Sequence, residues 1–109
     1  PHGLAVGLVL AETLDVSRAS CAPGLERVAD ALGEPEDGSG DGSRAVRAVR
    51  RLLADAGFPT CAEAGVGPRE VEALVPAAVD DYCLAVDGHD WTEAEVRGAF
   101  AAAVALSAR

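Results

Sequence analysis

Apolar and polar positions along this chain repeat with the period of the α-helix. Leu4, Val6, Leu8, Val9, Leu10 and Leu14 cover every side of a helix, and Glu12 is its first charge. A helix apolar all round is a buried one, so its neighbours are expected from this chain or from a missing domain. Leu25, Val28, Ala29 and Leu32 fall at i, i+3, i+4 and i+7, with Glu26, Arg27 and Asp30 on the other face. Gly33 stands where a helix C-terminal glycine belongs. Residues 34–43 (EPEDGSGDGS) are almost purely Gly, Ser, Pro and acid, and read as a flexible surface loop because nothing in them offsets the cost of ordering.

Ser43 is the expected N-cap of the next helix, whose apolar face is Ala45, Val49, Leu52, Leu53 and Ala56 and whose Arg44, Arg47, Arg50 and Arg51 turn to solvent. Gly57 ends it, Phe58-Pro59 forces an extended step, and residues 60–67 have room for one helical turn. Pro68 suits the first position of a further helix in which Val71, Leu74, Val75, Ala78, Val79 and Tyr82 repeat at 3 and 4, with Pro76 bending it. The final helix opens with a capping box, Thr92 to Glu95, and buries Val96, Ala99, Phe100, Ala103 and Val104. With no alternating strand pattern anywhere, the expected fold is all-α: one domain, a bundle of about five helices.

Composition supports this picture. Half of the 109 residues are apolar, enough to bury a core. They are mostly Ala, Val and Leu, with only Trp91, Tyr82, Phe58 and Phe100 as aromatics and no Met, which favours close helix packing. Nine Arg and no Lys against 18 acidic residues give a net charge of −9. Such a field repels phosphate backbones and anionic membrane surfaces, so neither nucleic acid nor membrane is an expected partner. Cys21, Cys61 and Cys83 are odd in number and widely spaced without a CxxC, so a disulfide framework and a zinc knuckle are both unexpected. A reducing cytoplasm fits them, each as a small buried or half-buried residue. No charged n-region precedes an apolar stretch, and no apolar run approaches about 18 residues, so neither a signal peptide nor a membrane span is expected. Pro1 in place of Met is the mark of a processed chain or of a piece of a longer one.

Two histidines are the whole stock of imidazole, and no GxGxxG, Walker loop, GxSxG or HExxH accompanies them. A complete catalytic or cofactor-binding centre is not visible. A lone imidazole holds a divalent metal weakly, since protein sites normally use three or four ligands.

The informative piece is Pro1-His2-Gly3-Leu4-Ala5 at the mouth of the apolar helix. It resembles the PHG element that ends the metal-binding stretch of the iron-containing (metal-dependent, group III) alcohol dehydrogenases. The likeness continues in order along the chain. Ala31-Leu32-Gly33, Gly57-Phe58-Pro59-Thr60, Glu63 to Val66, Asp80-Asp81 and the Thr92-to-Val96 helix each match an element of the pattern. It departs at Val86 to Asp90, where the family has an Asn-Pro-Arg-like turn and this chain has His89, whose expected place is a surface turn.

The resemblance implies the C-terminal helical domain of an enzyme whose upstream α/β domain binds NAD(P). Fe(II) or Zn(II) would lie in the cleft between the two. His2 is then one metal ligand; the other ligands and the nucleotide-binding domain would lie outside this chain, supplied in cis or in trans. It further implies an alcohol or aldehyde substrate and the possibility of a homo-oligomer. The competing reading is a helical binding or interaction module, or a trans-completing subunit, derived from that family and inactive alone.

Overall fold

The computed structural model describes residues 1–106 and is built of helices, with no strand among them. The order is α1 (His2–Ala31), α2 (Ser43–Asp55), α3 (Pro68–Val79), α4 (Tyr82–Ala85) and α5 (Glu93–Leu106). α1 packs against α2 and α5, and α5 in turn against α3.

The two helical patterns expected in residues 4–32 are one element with a corner in it. Cys21 has φ −141° and ψ 24°, far from helical values. Pro23 lies two residues on; it lacks an N–H and its ring crowds the carbonyl of Ala19, which is the usual cause of such a break. Helix ends follow local chemistry closely. Gly33 has φ 74°, and its N–H reaches Asp30 O while that of Glu34 reaches Ala29 O, a Schellman closure. Gly57, φ 68°, closes α2 in the same way through Ala54 O and Leu53 O. Thr92 and Glu95 form the expected capping box, each side chain bonding the other's backbone N–H at 3.1 Å. Residues 60–65 make a single turn capped by Thr60 and Glu63. α3 runs three residues past Pro76 and ends at Val79, so Tyr82 belongs to α4 and is 77% exposed rather than part of a buried stripe.

The face of α2 departs most from expectation. Its buried residues are Arg44, Ala45, Val46, Ala48 and Val49, whereas Leu52 is 56% exposed. Of the four arginines, Arg47 and Arg51 are exposed as expected and Arg50 partly so, but Arg44 does not turn to solvent. Arg44, only 2% exposed, bonds Glu26 Oε2 at 2.7 Å, Asp30 Oδ1 at 2.9 Å and the carbonyls of Glu34 (2.6 Å) and Pro35 (3.0 Å). Glu36 lies at 3.5 Å. Arg50 grips Glu12, a carboxylate buried in α1, at 2.9 and 3.1 Å. Arg47 pairs with Asp37 and Arg51 with Glu34. An isolated charge could not be buried here; a guanidinium whose donors all meet oxygen can.

These partners come from α1 and from residues 34–41, so the acidic loop has anchors outside itself. Asp37 and Asp41 bond the backbone N–H groups of Ser39 and Ser43. The N-cap of α2 is Gly42 rather than Ser43. Its φ is 83°, and a Cβ there would lie 3.0 Å from Leu25 Cδ1, so glycine answers both to conformation and to space.

The apolar core is thin. It consists of small residues: Ala29 and Ala45 with Leu25 between α1 and α2, Val71 and Val75 on α3, and Val96, Ala99 and Ala103 on α5. The apolar half of α1 is not enclosed; Val6 is 43% exposed. The accessible surface, 6564 Å², exceeds the roughly 5,600 Å² expected for a compact monomer of 11.0 kDa.

Two tests follow from this packing. Gly98 has open space around it and Gly7 does not: a Cβ on Gly7 would fall 2.2 Å from Phe58 Cζ. Gly98→Ala should therefore raise unfolding stability by about 0.5–1 kcal/mol. Gly7→Ala, which must displace the ring, should lower it by roughly 1–3 kcal/mol, both read by urea denaturation. The second test concerns acid. Arg51 holds the Glu34 carboxyl below its ordinary value, and Ser39 with Arg47 holds Asp37 well below. A carboxyl with a depressed folded pKa binds its proton less readily folded than unfolded. Its contribution is therefore present above the ordinary carboxylate range and lost as pH falls through the folded pKa. The thermal midpoint should fall by more than about 5 °C between pH 7 and pH 3, and Arg51→Gln should flatten that fall.

Candidate functional site

His2 is the first residue of α1, following Pro1 at the cap position. Its side chain is exposed and borders a cleft of about 580 Å³. One wall of that cleft is the apolar start of α1, through Val6 and Val9; α3 contributes Leu74 and Ala78, and α5 Phe100. α4 brings Asp81 and Cys83 to the same cleft, a convergence with His2 that sequence spacing does not reveal. Asp81 is already engaged in capping α4, accepting from the Cys83 N–H at 2.7 Å.

Metal binding by this chain alone does not fit the geometry. Among the described residues no group of three or more His, Cys, Asp and Glu side chains is placed to hold an ion. His2 is thus a single donor, and one imidazole is too few ligands for a firm site. Nor are the cysteines uniformly sheltered: Cys61 is buried, but Cys21 and Cys83 are exposed, and no disulfide joins them.

His89 is better connected than a surface turn requires. Its Nδ1 lies 2.7 Å from Ser20 Oγ, and its Nε2 2.7 Å from Glu95 Oε2. This hydrogen bond is the first cause of a Glu95 pKa below the ordinary value, with the Thr92 backbone second. An ionised Glu95 can only accept, so Nε2–H donates, and a neutral ring then accepts from Ser20 at Nδ1. Trp91 stands edge-on to the imidazole at 5.0 Å, its Nε1–H held by Asp87 at 2.6 Å. The imidazole therefore ties the end of α1's first arm to the start of α5. Sequence offered only half of this, the Thr92–Glu95 capping box; Ser20 lies 69 positions from His89.

His89→Ala should cost roughly 1–2 kcal/mol for two lost hydrogen bonds. It should also move the Glu95 carboxyl upward toward its ordinary range, which carboxyl-carbon NMR titration would register directly.

Among the described residues, no helix is long and apolar enough to cross a membrane. No family model matches the chain, and no solved structure does. Among curated proteins the chain is similar to the probable alcohol dehydrogenase EutG of Salmonella typhimurium (strain LT2), 30% identical over 104 residues. Those residues are 94% of this chain and 26% of that protein, so the chain spans about a quarter of the length of the curated relative it matches. In sequence, then, this helical chain is alcohol dehydrogenase-like.

Proposed function

We propose that the chain is the C-terminal, helical metal-site part of an NAD(P)-dependent, metal-dependent alcohol dehydrogenase or aldehyde reductase. The observation that carries this is the position of the PHG element: His2 opens α1 at the rim of the apolar cleft, within a chain similar over 94% of its length to a probable alcohol dehydrogenase. A ligand histidine at a helix start, exposed and without a hydrogen-bond partner among the described residues, suits a site completed by residues of another part of the protein. Fe(II) or Zn(II) bound there would act as a Lewis acid on an alcohol or aldehyde oxygen. His2 would offer one neutral imidazole nitrogen and nothing more, and hydride transfer would rest on nicotinamide held by a nucleotide-binding domain outside this chain. That domain could be joined in cis or bound in trans; the under-covered first half of α1 favours a partner in either case.

The 109-residue chain alone should show no NAD(P)-linked alcohol oxidation followed at 340 nm. The longer polypeptide carrying this sequence, or the chain combined with its nucleotide-binding partner, should show it. There, His2→Ala should lower metal content and activity together by about 100-fold or more. Full activity and full metal content in that variant would remove His2 from the metal site.

A further inference from the structure

We propose that Ser20 is the nucleophile of an acyl-transfer site, with His89 as its general base and Glu95 orienting the imidazole, acting on uncharged esters with short acyl groups. Its three residues lie outside the His2 cleft, so this site and the metal-site reading stand or fall separately.

Other hydroxyl and thiol groups of α1 turn back on their own helix. Thr13 Oγ1 donates to Leu10 O, Ser17 Oγ to Thr13 O and Cys21 Sγ to Ser17 O, as such side chains ordinarily do in helices. The Ser20 hydroxyl goes instead to an imidazole 69 positions away, at 2.7 Å. That imidazole has its Nε2 on Glu95 Oε2 at 2.7 Å, and Glu95 is kept charged by this bond and by the Thr92 N–H. Nucleophile, base and orienting carboxylate thus stand in series, the arrangement that activates a hydroxyl otherwise too weak to attack. The ring nitrogens exchange their commonest roles, with the serine on Nδ1. A neutral imidazole that donates through one nitrogen accepts through the other, so the chemistry is the same. Exposure separates this series from an internal brace: His89 is half-buried, whereas the attacking residue, Ser20, is open to solvent.

A concavity of about 240 Å³ borders the imidazole, walled by Leu84, Ala85 and Trp91 and by the acids Asp87 and Asp90. At about 30 Å³ per non-hydrogen group it takes roughly eight, enough for a two- to four-carbon acyl group and the start of its alcohol. With two carboxylates in its wall and a net charge of −9 on the chain, an acyl group bearing its own carboxylate is repelled. The same turn has donors to spare. Among the described residues the N–H groups of Asp90 and Trp91 bond no oxygen, and donors of this kind stabilise a developing oxyanion. In the reaction, Ser20 Oγ attacks the ester carbonyl carbon as its proton passes to His89 Nδ1, and Glu95 steadies the imidazolium. The bond from carbonyl carbon to alcohol oxygen then breaks, and the departing oxygen takes that proton. Water opens the Ser20 ester by the same route, giving a carboxylic acid and the free hydroxyl.

The test is labelling of the chain with an alkyl fluorophosphonate, the adduct located by peptide mass spectrometry, beside turnover of 4-nitrophenyl butyrate. Ser20 should be labelled at least about ten-fold faster than Ser39, an exposed serine that meets Ser43 rather than an imidazole, and urea should abolish the difference. His89→Gln should slow labelling of Ser20 about ten-fold or more. Ser20→Ala should remove most of the ester turnover, although both histidines and the exposed thiols Cys21 and Cys83 remain. Glu95→Gln keeps an oxygen for the Thr92 N–H; as a positioning change it should lower kcat about ten-fold and leave KM unmoved. The 4-nitrophenyl monoester of glutarate should turn over about five-fold more slowly than the butyrate, and equal rates would remove the preference for uncharged acyl groups. Equal labelling of Ser20 and Ser39, or turnover unchanged in a Ser20→Ala chain that stays helical by circular dichroism, would overturn the proposal and leave His89 a brace between α1 and α5. If the variants lose helix content, the ratio of Ser20 to Ser39 labelling in the unsubstituted chain, with and without urea, decides the matter alone.

Discussion

The structure depends on a guanidinium placed where a hydrophobic side chain would ordinarily sit. Arg44 is among the largest fully buried side chains of the molecule, alongside Val46 and Val75. It is held by Glu26 and Asp30 of α1 and by two carbonyls of the connecting loop. With so few large apolar residues in the core, α1 and α2 are joined less by area than by direction. Each N–H of the fork must find its oxygen, which fixes the rotation of α2, the path of residues 34–41 and the register of α1 at once. The same arrangement repeats more openly along α2, with Arg50 on Glu12 and Arg47 and Arg51 on the loop acids. Lysine, with a single ammonium point, could not replace Arg44 in this role, which gives the absence of lysine from this seam a physical sense.

What was legible in the sequence was what is local. Gly33, Gly57, Pro68 and the Thr92–Glu95 pair each act within four or five residues, and the helices begin or end where they said. What was not legible depended on partners far along the chain. Counting apolar positions on α2 favoured Leu52 and set the arginines outward. That count treats charge as a demand for water and ignores the alternative, a set of carboxylates delivered by a loop that itself looks unstructured. Arg44 was misjudged for want of those partners, while Arg47 and Arg51 stay exposed on the same helix. Tyr82 was misplaced for a different reason: the 3-and-4 spacing continues past Val79, but the chain turns at Asp80-Asp81, where Asp81 caps a new turn.

The candidate site divides in the same way. His2 could be singled out because a short motif carries its own chemistry. Its surroundings could not, because the cleft is made by four elements that meet only in three dimensions. The Ser20–His89–Glu95 chain was hidden by 69 positions of separation, although its last member was already visible as a capping residue. A polar group engaged locally can also anchor a longer relay, as Glu95 does by holding His89, whose other nitrogen reaches Ser20.

The break at Cys21 has a mechanical meaning. Thirty residues of straight helix would run about 45 Å, more than the 38 Å that the molecule measures along its longest axis. The corner lets one element serve as two beams meeting at an angle. One carries His2 and the cleft, the other Glu26 and Asp30 for the arginine cluster. Strain introduced at the cleft end, by a ligand or a neighbouring domain, meets a joint before it reaches the charged end. The Arg44 cluster is thus set off by the corner, while Glu12 on the cleft-bearing arm still ties that arm to α2 through Arg50.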